Sequence, residues 1–248
     1  MKVGILKKII LNADVGEEAG FDEKIMPYIS WCNIACGVHA GNDQVIQKTI
    51  ELALQHQVKI GAHPSYPDRK NFGRVVLDIS YDDLVDTLTD QIRKVKFYTE
   101  VQGGRLHHVK PHGALYNEAV KNEEIADAII QSVKNIDKSL NIVTSKDSVI
   151  SYLCRDDVKV KYEVFADRNY NEDLTLVSRS EKNAVLVNPE NILPHVLRMI
   201  SDKKIRTIKG EEKLIFFDTI CVHGDNPKSV EILECLYKEF LKRKFVLK

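Results

Sequence analysis

Along this chain short apolar runs alternate with polar clusters, and after most clusters apolar residues recur at helical spacing. The runs are Lys8–Ala13, Trp31–Ala35, Val58–Ala62, Leu106–Val109, Asn141–Thr144, Val160–Phe165 and Phe216–Val222. Their length and apolar content predict buried strands. Between them, Val45, Ile46, Thr49, Ile50, Ala53 and Leu54 line one helical face, with Asn42 or Asp43 as its cap. Leu84, Leu88, Ile92 and Val95 line a second, opened by Ser80-Tyr81-Asp82-Asp83, a capping box in which Asp83 replaces the usual Glu or Gln. A third begins near Asn122 with Ile125, Ala128, Ile129 and Val133; Asn188-Pro189 and Asn226-Pro227 open two more.

Seven strand-helix units in sequence force a parallel sheet, because each crossover returns the chain to the same end. Most of the runs stop at Asp, His, Lys or Arg: Asp14, His63, Lys110, Asp167-Arg168 and His223. An open sheet exploits its switch point alone, whereas a closed barrel gathers every strand end on one face. The pattern therefore predicts an α/β fold, a seven-stranded parallel β/α barrel. No low-complexity tract or Gly/Ser/Pro linker interrupts residues 1–248, which read as one domain.

Charge narrows the functions. With 36 Lys+Arg against 36 Asp+Glu the chain lacks the basic surface that nucleic-acid binding needs. The longest span free of Asp, Glu, Lys and Arg, Ile25–Asn42, contains Pro27, Asn33, Gly37, His39 and Gly41, so no membrane span is expected. The opening MKVGILKKIILNAD is broken by Lys7 and Lys8 and does not read as a signal peptide. Five scattered cysteines make no disulfide framework and point to a reducing cytoplasm; Cys32 and Cys36 read as small buried hydrophobes. The chain contains no G-x-x-x-x-G-K-[ST], G-x-G-x-x-G or G-x-S-x-G, which disfavours a P-loop, a dinucleotide fold and a serine nucleophile.

The histidines carry the sharpest signal. His39, His63, His112 and His223 each follow a strand beside glycine or proline, whereas His56 and His195 sit in helical stretches and read as solvated. A lone histidine after a strand is usually structural; four in such turns point to a shared site. Asp14 is the natural carboxylate partner, and Asn12 shares its strand face. Asp14, His39 and His63 also make a sound ligand set for zinc or manganese, so a divalent metal is a candidate cofactor. Alternation puts His108 and Lys110 on one face, with His112 leaning in from the loop. Lys110 so near the core needs an anion beside it. Asp167-Arg168 reads equally as a structural ion pair or as a substrate contact. Arg69 and Arg74, in the loop after the third strand, suit carboxylate or phosphate and a lid over the barrel mouth.

Seven blocks, LNADVGEE (11–18), NIACGVHAGN (33–42), GAHPSYPDR (61–69), FGR (72–74), VKPHGALYN (109–117), EVFADRNY (163–170) and CVHGD (221–225), resemble the LamB/YcsF family in content and order. Asn42 stands where that family commonly has Asp, and DLTLVSR (173–179) lacks its usual glycine and proline. That family includes the A-subunit of the ATP-dependent bacterial 5-oxoprolinase. The resemblance implies a barrel of the glycoside hydrolase/deacetylase type and ATP-coupled opening of 5-oxo-L-proline to L-glutamate with partner subunits B and C. Without a P-loop here, ATP is expected on a partner or at the interface. On this reading Asp14, His39, His63, Lys110, His112 and His223 carry the chemistry, and Asn12, Asn33, Arg74, Asp167 and Arg168 bind substrate. Two other readings remain open at this point: a metal-dependent carbohydrate hydrolase or deacetylase, and a non-catalytic binding subunit.

Overall fold

A computed structural model describes residues 8–154 and 157–247, so the opening residues up to Lys7 lie outside the described residues. Seven parallel strands close a barrel: β1 (Leu11–Val15), β2 (Trp31–Ala35), β3 (Lys59–His63), β4 (Leu106–Val109), β5 (Asn141–Thr144), β6 (Lys159–Phe165) and a last strand, Thr219–Val222, which pairs with both β6 and β1. The expected barrel and strand number are both present.

The helices start where the capping chemistry places them. Asn42 accepts from the amides of Gln44 and Val45 to open α2 (Asp43–Gln55), the helix after a four-residue α1 (Asp22–Ile25). An Asp there would accept the same two bonds, so the family departure at this position is neutral for the cap. Ser80 accepts from Asp83 to open α3 (Tyr81–Val101). Leu84, Leu88, Ile92 and Val95 are all buried, at roughly 2 kcal/mol each. A short α4 (Gly113–Ala119) precedes α5 (Glu123–Ile136), capped by Asn122, and α6 (Val149–Leu153) follows β5. Asn188 with Pro189 opens α7 (Pro189–Asp202).

Besides β1, which runs Leu11–Val15 where Lys8–Ala13 was expected, the structure differs from the sequence pattern in three places toward its C-terminal end. A two-stranded antiparallel hairpin, β7 (Lys204–Arg206) and β8 (Glu212–Leu214), stands between α7 and the last barrel strand, β9; its three-residue runs are too short to show a period. β9 begins at Thr219, three residues later than expected, because Phe216 is turned to solvent and the Asp218 carboxylate caps the amide of Tyr162. The C-terminal helix α8 (Ser229–Lys242) starts two residues beyond Asn226-Pro227, since the Asn226 side chain is spent on Asp167 and the Leu186 carbonyl. No helix among the described residues is long and apolar enough to cross a membrane.

The barrel interior is polar. Register aligns Asp14 with Asn33, Asn33 with Gly61 and Gly61 with His108. Period-two alternation then sends Asn12, Asn33, His108 and Thr219 inward as one layer, and Asp14, His63, Phe165 and Cys221 as the layer above it.

Candidate active site

The lower layer is a closed hydrogen-bond chain. His108 Nε2 donates to Asn33 Oδ1 at 2.7 Å; Asn33 Nδ2 donates to Asn12 Oδ1 and Asp14 Oδ1; Asn12 Nδ2 donates to Thr219 Oγ1. Burial holds the His108 imidazole well below its ordinary pKa, which keeps it a neutral donor. Gly61 makes room for that ring, since a Cβ there would fall 2.2 Å from His108 Nε2.

Above it Lys110, 2% exposed, is the central charge. Its ammonium meets Asp14 Oδ1 at 2.9 Å, Glu163 Oε2 at 3.3 Å and Cys221 Sγ at 3.1 Å. Burial pulls its pKa down, but the Asp14, Cys221 and Glu163 groups outweigh that and raise it well above the usual lysine value. Burial pushes Asp14 up, yet Lys110 and His63 hold it well below the carboxylate range. Lys110, Asn33 and His63 all address Oδ1 of Asp14, which leaves Oδ2 for the cavity that Asp14 lines. Glu163 goes the other way, raised by burial. Its Oε1 and the neighbouring Tyr116 hydroxyl are buried without a hydrogen-bond partner among the described residues.

Three imidazoles surround Glu17, the residue sequence reasoning missed. Glu17 Oε1 lies 3.3 Å from His112 Nδ1, 3.4 Å from His39 Nε2 and 3.9 Å from His63 Nε2. Each ring is oriented from behind. His63 Nδ1 donates to the Lys110 carbonyl, His112 Nε2 to the Phe72 carbonyl, and His39 Nδ1 to Ser65 Oγ, whose own proton goes to the Tyr66 carbonyl. Those bonds leave the inward nitrogens of the neutral His39 and His112 as lone pairs, whereas His63, pulled down by burial, is raised above its ordinary value by Asp14 and keeps a proton on Nε2 toward that carboxylate. Burial lowers His39 to about 4 and lowers His112 as well, so both are neutral near pH 7. The two neutral rings turn acceptors inward, and His63 Nε2 donates to His112 Nδ1 at 3.0 Å. The group whose ligand atoms converge within 4.8 Å is Glu17, His63 and His112. Of the expected ligand set only His63 belongs to it: Asp14 Oδ1 is taken by Lys110 and Asn33, and His39 stacks behind His112 at 3.9 Å.

The opposite wall carries His223. Its Nδ1 donates to Asp167 Oδ1 at 2.9 Å, its ring stacks on Phe165, and it lines the cavity. Asp167 also accepts from Asn226; burial pushes its carboxyl up, but His223 and Asn226 bring it below its ordinary value. Asp167 and Arg168 are therefore not partners: Arg168, 5% exposed, donates to the carbonyls of Val177 and Ala184 and braces its loop.

These groups enclose a cavity of about 420 Å³ at the C-terminal ends of the strands. Asp14, His63, Lys110, His112, His223, Arg74 and Arg168 line it, as do Arg179 and Phe165. Asn12, Asn33, His39 and Asp167 do not reach it. Asn12 and Asn33, expected on the substrate, sit a layer below and orient Asp14; Asp167 orients His223; His39 backs Glu17. His195, expected in solvent, is half-buried under the 166–188 loop and its imidazole is lowered by burial to about 4. Glu17 had a sequence signal: an acid immediately after Gly16, whose φ of +70° turns the chain back over the barrel mouth. Glu163 had one too, an acid at period two with Phe165 in a strand.

A family model described as LamB/YcsF family matches residues 9–248. The chain belongs to the LamB/YcsF family. A Bacillus cereus protein named as the 5-oxoprolinase A-subunit is 40% identical over 242 residues, 95% of this chain and 96% of that relative. The crystal structure of a lactam utilization protein from Thermus thermophilus superposes with a TM-score of 0.90 at 33% identity, covering 97% of this chain and 99% of that one. A family 4 carbohydrate esterase from Streptomyces lividans aligns with a TM-score of 0.51 at 10% identity over 97% of this chain and 91% of the other. That likeness shows the fold alone, a parallel β/α barrel. In this LamB/YcsF barrel, the family's blocks fall at the mouth: the block with Asp14 and Glu17 follows β1, those with His63, His112 and His223 follow β3, β4 and β9.

Proposed function

We propose that this chain acts as the A-subunit of an ATP-dependent 5-oxoprolinase, a hydrolase that opens the cyclic amide 5-oxo-L-proline to L-glutamate together with subunits B and C in the cytoplasm. Homology to the A-subunit of 5-oxoprolinase over nearly the whole chain supports the activity, and five free cysteines suit a reducing compartment. The observation that carries the reading is an acid–base pair facing one cavity: Asp14 kept ionised by Lys110, and His223 oriented by Asp167 across from it.

A lactam is a poor electrophile. Transfer of the ATP γ-phosphoryl to the lactam oxygen, releasing ADP, makes its carbon open to water. Asp14 Oδ2 takes a proton from that water as its oxygen bonds to the carbon. The Lys110 ammonium lies beside the charge that develops. The C–N bond then breaks with a proton delivered to nitrogen by His223, and a second water hydrolyses the acyl phosphate to glutamate and phosphate. Glu17, His63 and His112 fit a divalent cation such as zinc or manganese, because one ligand atom of each converges and is held from behind by backbone carbonyls or by His39, and a cation would take the place of the His63 proton. Such an ion would supply Lewis acidity and an additional site for water.

The test is reconstitution with subunits B and C, following glutamate and ADP from 5-oxo-L-proline. The wild-type chain is expected to be required, and Asp14→Asn and His63→Ala to abolish turnover. Full activity in both variants would refute the assignment. The acceptor pocket also favours a second reading, a metal-dependent deacetylase, for which chelator-sensitive release of acetate from an N-acetylated sugar without ATP is the deciding result.

A further inference from the structure

Four arginines stand near the mouth, and they divide into two kinds. Arg69 donates to the carbonyls of Gly37 and Gly41 and pairs with Glu18, and Arg168 donates to two carbonyls of its own loop. Both are staples. Arg74, from the loop after β3, and Arg179, from the loop after β6, line the cavity as Arg168 does but address one side-chain oxygen, Oδ2 of Asp225, from the loop after β9. Arg74 is seated over the Phe72 ring, its carbon 4.8 Å from the centroid, and Arg179 Nη1 is 3.6 Å from Asp225. Two guanidiniums against one carboxylate leave that group with an excess positive charge, and the Glu181 carboxylate that also lines the cavity pairs with neither of them among the described residues. Their forked donors, each able to take two oxygens of a planar or tetrahedral anion, share a single atom instead. On the floor beneath, the Asp14 carboxylate is paired with the Lys110 ammonium at 2.9 Å, so the excess positive charge sits at the rim. An anionic ligand is therefore drawn to the rim by its charged end.

We propose that Arg74 and Arg179 form an oxyanion clamp across the mouth, and that Asp225 is its internal stand-in, displaced when a ligand's own oxyanion arrives. The proposal rests on the lactam reading for its ligands: the carboxylate of 5-oxo-L-proline is one source of the oxyanion and the terminal phosphates of ATP are the other. The three side chains are 21–36% exposed. Pairs of that exposure are weak, so release of Asp225 changes affinity by a factor of about three to ten.

Isothermal titration of the full chain with three probes tests this: 5-oxo-L-proline, 2-pyrrolidinone (the same ring without a carboxylate) and tripolyphosphate. Asp225→Asn is expected to tighten an oxyanion probe by about three- to tenfold, and Arg179→Gln and Arg74→Gln to weaken it by at least as much. Affinity for 2-pyrrolidinone stays the same in all four proteins. A response confined to 5-oxo-L-proline assigns the clamp to carboxylate, and one confined to tripolyphosphate assigns it to phosphate. If tripolyphosphate shows these shifts while neither lactam binds the wild type, the clamp stands and the lactam reading falls. The proposal is overturned if Asp225→Asn weakens the oxyanion probes as the arginine variants do, for Asp225 is then a brace. It is equally overturned if 2-pyrrolidinone shifts in parallel or if no oxyanion probe responds to any variant.

Discussion

Lys110→Met tests the charge arrangement on which the site depends. The side chain is 2% exposed and its ammonium lies 2.9 Å from Asp14 and 3.3 Å from Glu163. Methionine keeps the volume and removes the charge, leaving two buried carboxyl groups with no cation between them. Breaking a buried pair by removing one partner costs about 3–5 kcal/mol. In a chain of this length that corresponds to a fall in Tm of roughly 10 °C.

The cost depends on pH, and its sign follows from which way each carboxyl moves. In the wild type Asp14 is lowered despite its burial, so it contributes stability above its unfolded value, lost as the pH falls through the folded one. Without Lys110, burial is opposed by His63 and His223 alone among its charged neighbours, and its folded pKa rises. Glu163, already raised by burial, moves the same way. Groups so raised stabilise fully below their unfolded values, and that stability is lost as the pH rises through the folded ones. Lys110→Met is therefore less impaired at pH 5 than at pH 8. Thermal melts at both pH values, with EDTA present so that no cation occupies the Glu17 pocket, measure the difference. Adding Asp14→Asn to Lys110→Met is expected to recover part of the loss by removing one stranded charge. A Lys110→Met protein melting within about 2 °C of wild type at pH 8 would refute the argument, as would an equal loss at pH 5 and pH 8.

Three further outcomes follow from the same geometry. His223→Gln is expected to lower kcat by about 10²–10³ in the reconstituted enzyme with KM little changed; a KM effect alone would make His223 a binding residue. Purified protein is expected to hold close to one equivalent of zinc or manganese by elemental analysis. Glu17→Gln and His112→Ala should each lose it, whereas retention in both would place the ion elsewhere. Gly61→Ala puts a methyl group against the His108 ring, at a cost of about 1–3 kcal/mol. A chemical denaturation curve matching wild type would show that His108 moves freely.

What could be read from the letters and what could not separates along a physical line. Strand-helix alternation, the caps at Asn42, Ser80, Asn122 and Asn188, and the barrel itself were legible because they depend on neighbours within a few residues. Asp14, His63, Lys110, His112 and His223 were legible as a group because a polar residue ending an apolar run has one face to go to. Height within the barrel was not legible. Asn12 and Asp14 point the same way, and only their contacts across the barrel, Asn12 with Thr219 and Asn33 and Asp14 with Lys110, put one in the buried ladder and the other on the cavity wall. The place of Arg179 on the cavity wall was not legible for a related reason. The bridge of Arg168 to Val185 folds the long loop after β6 back on itself, so the first arginine is spent on carbonyls and the second reaches the mouth. Glu17 was hidden by its company, since Gly16-Glu17-Glu18 looks like a solvated turn until the three histidines arrive from β2, β3 and β4. Glu17 and Asn12 are placed by contacts across the barrel, 22 positions away for Glu17 with His39 and 207 for Asn12 with Thr219, and the two arginines by the fold-back of their own loop. Local pattern thus identifies which residues carry chemistry, and closure of the barrel decides which of them touch the ligand and which hold another in place.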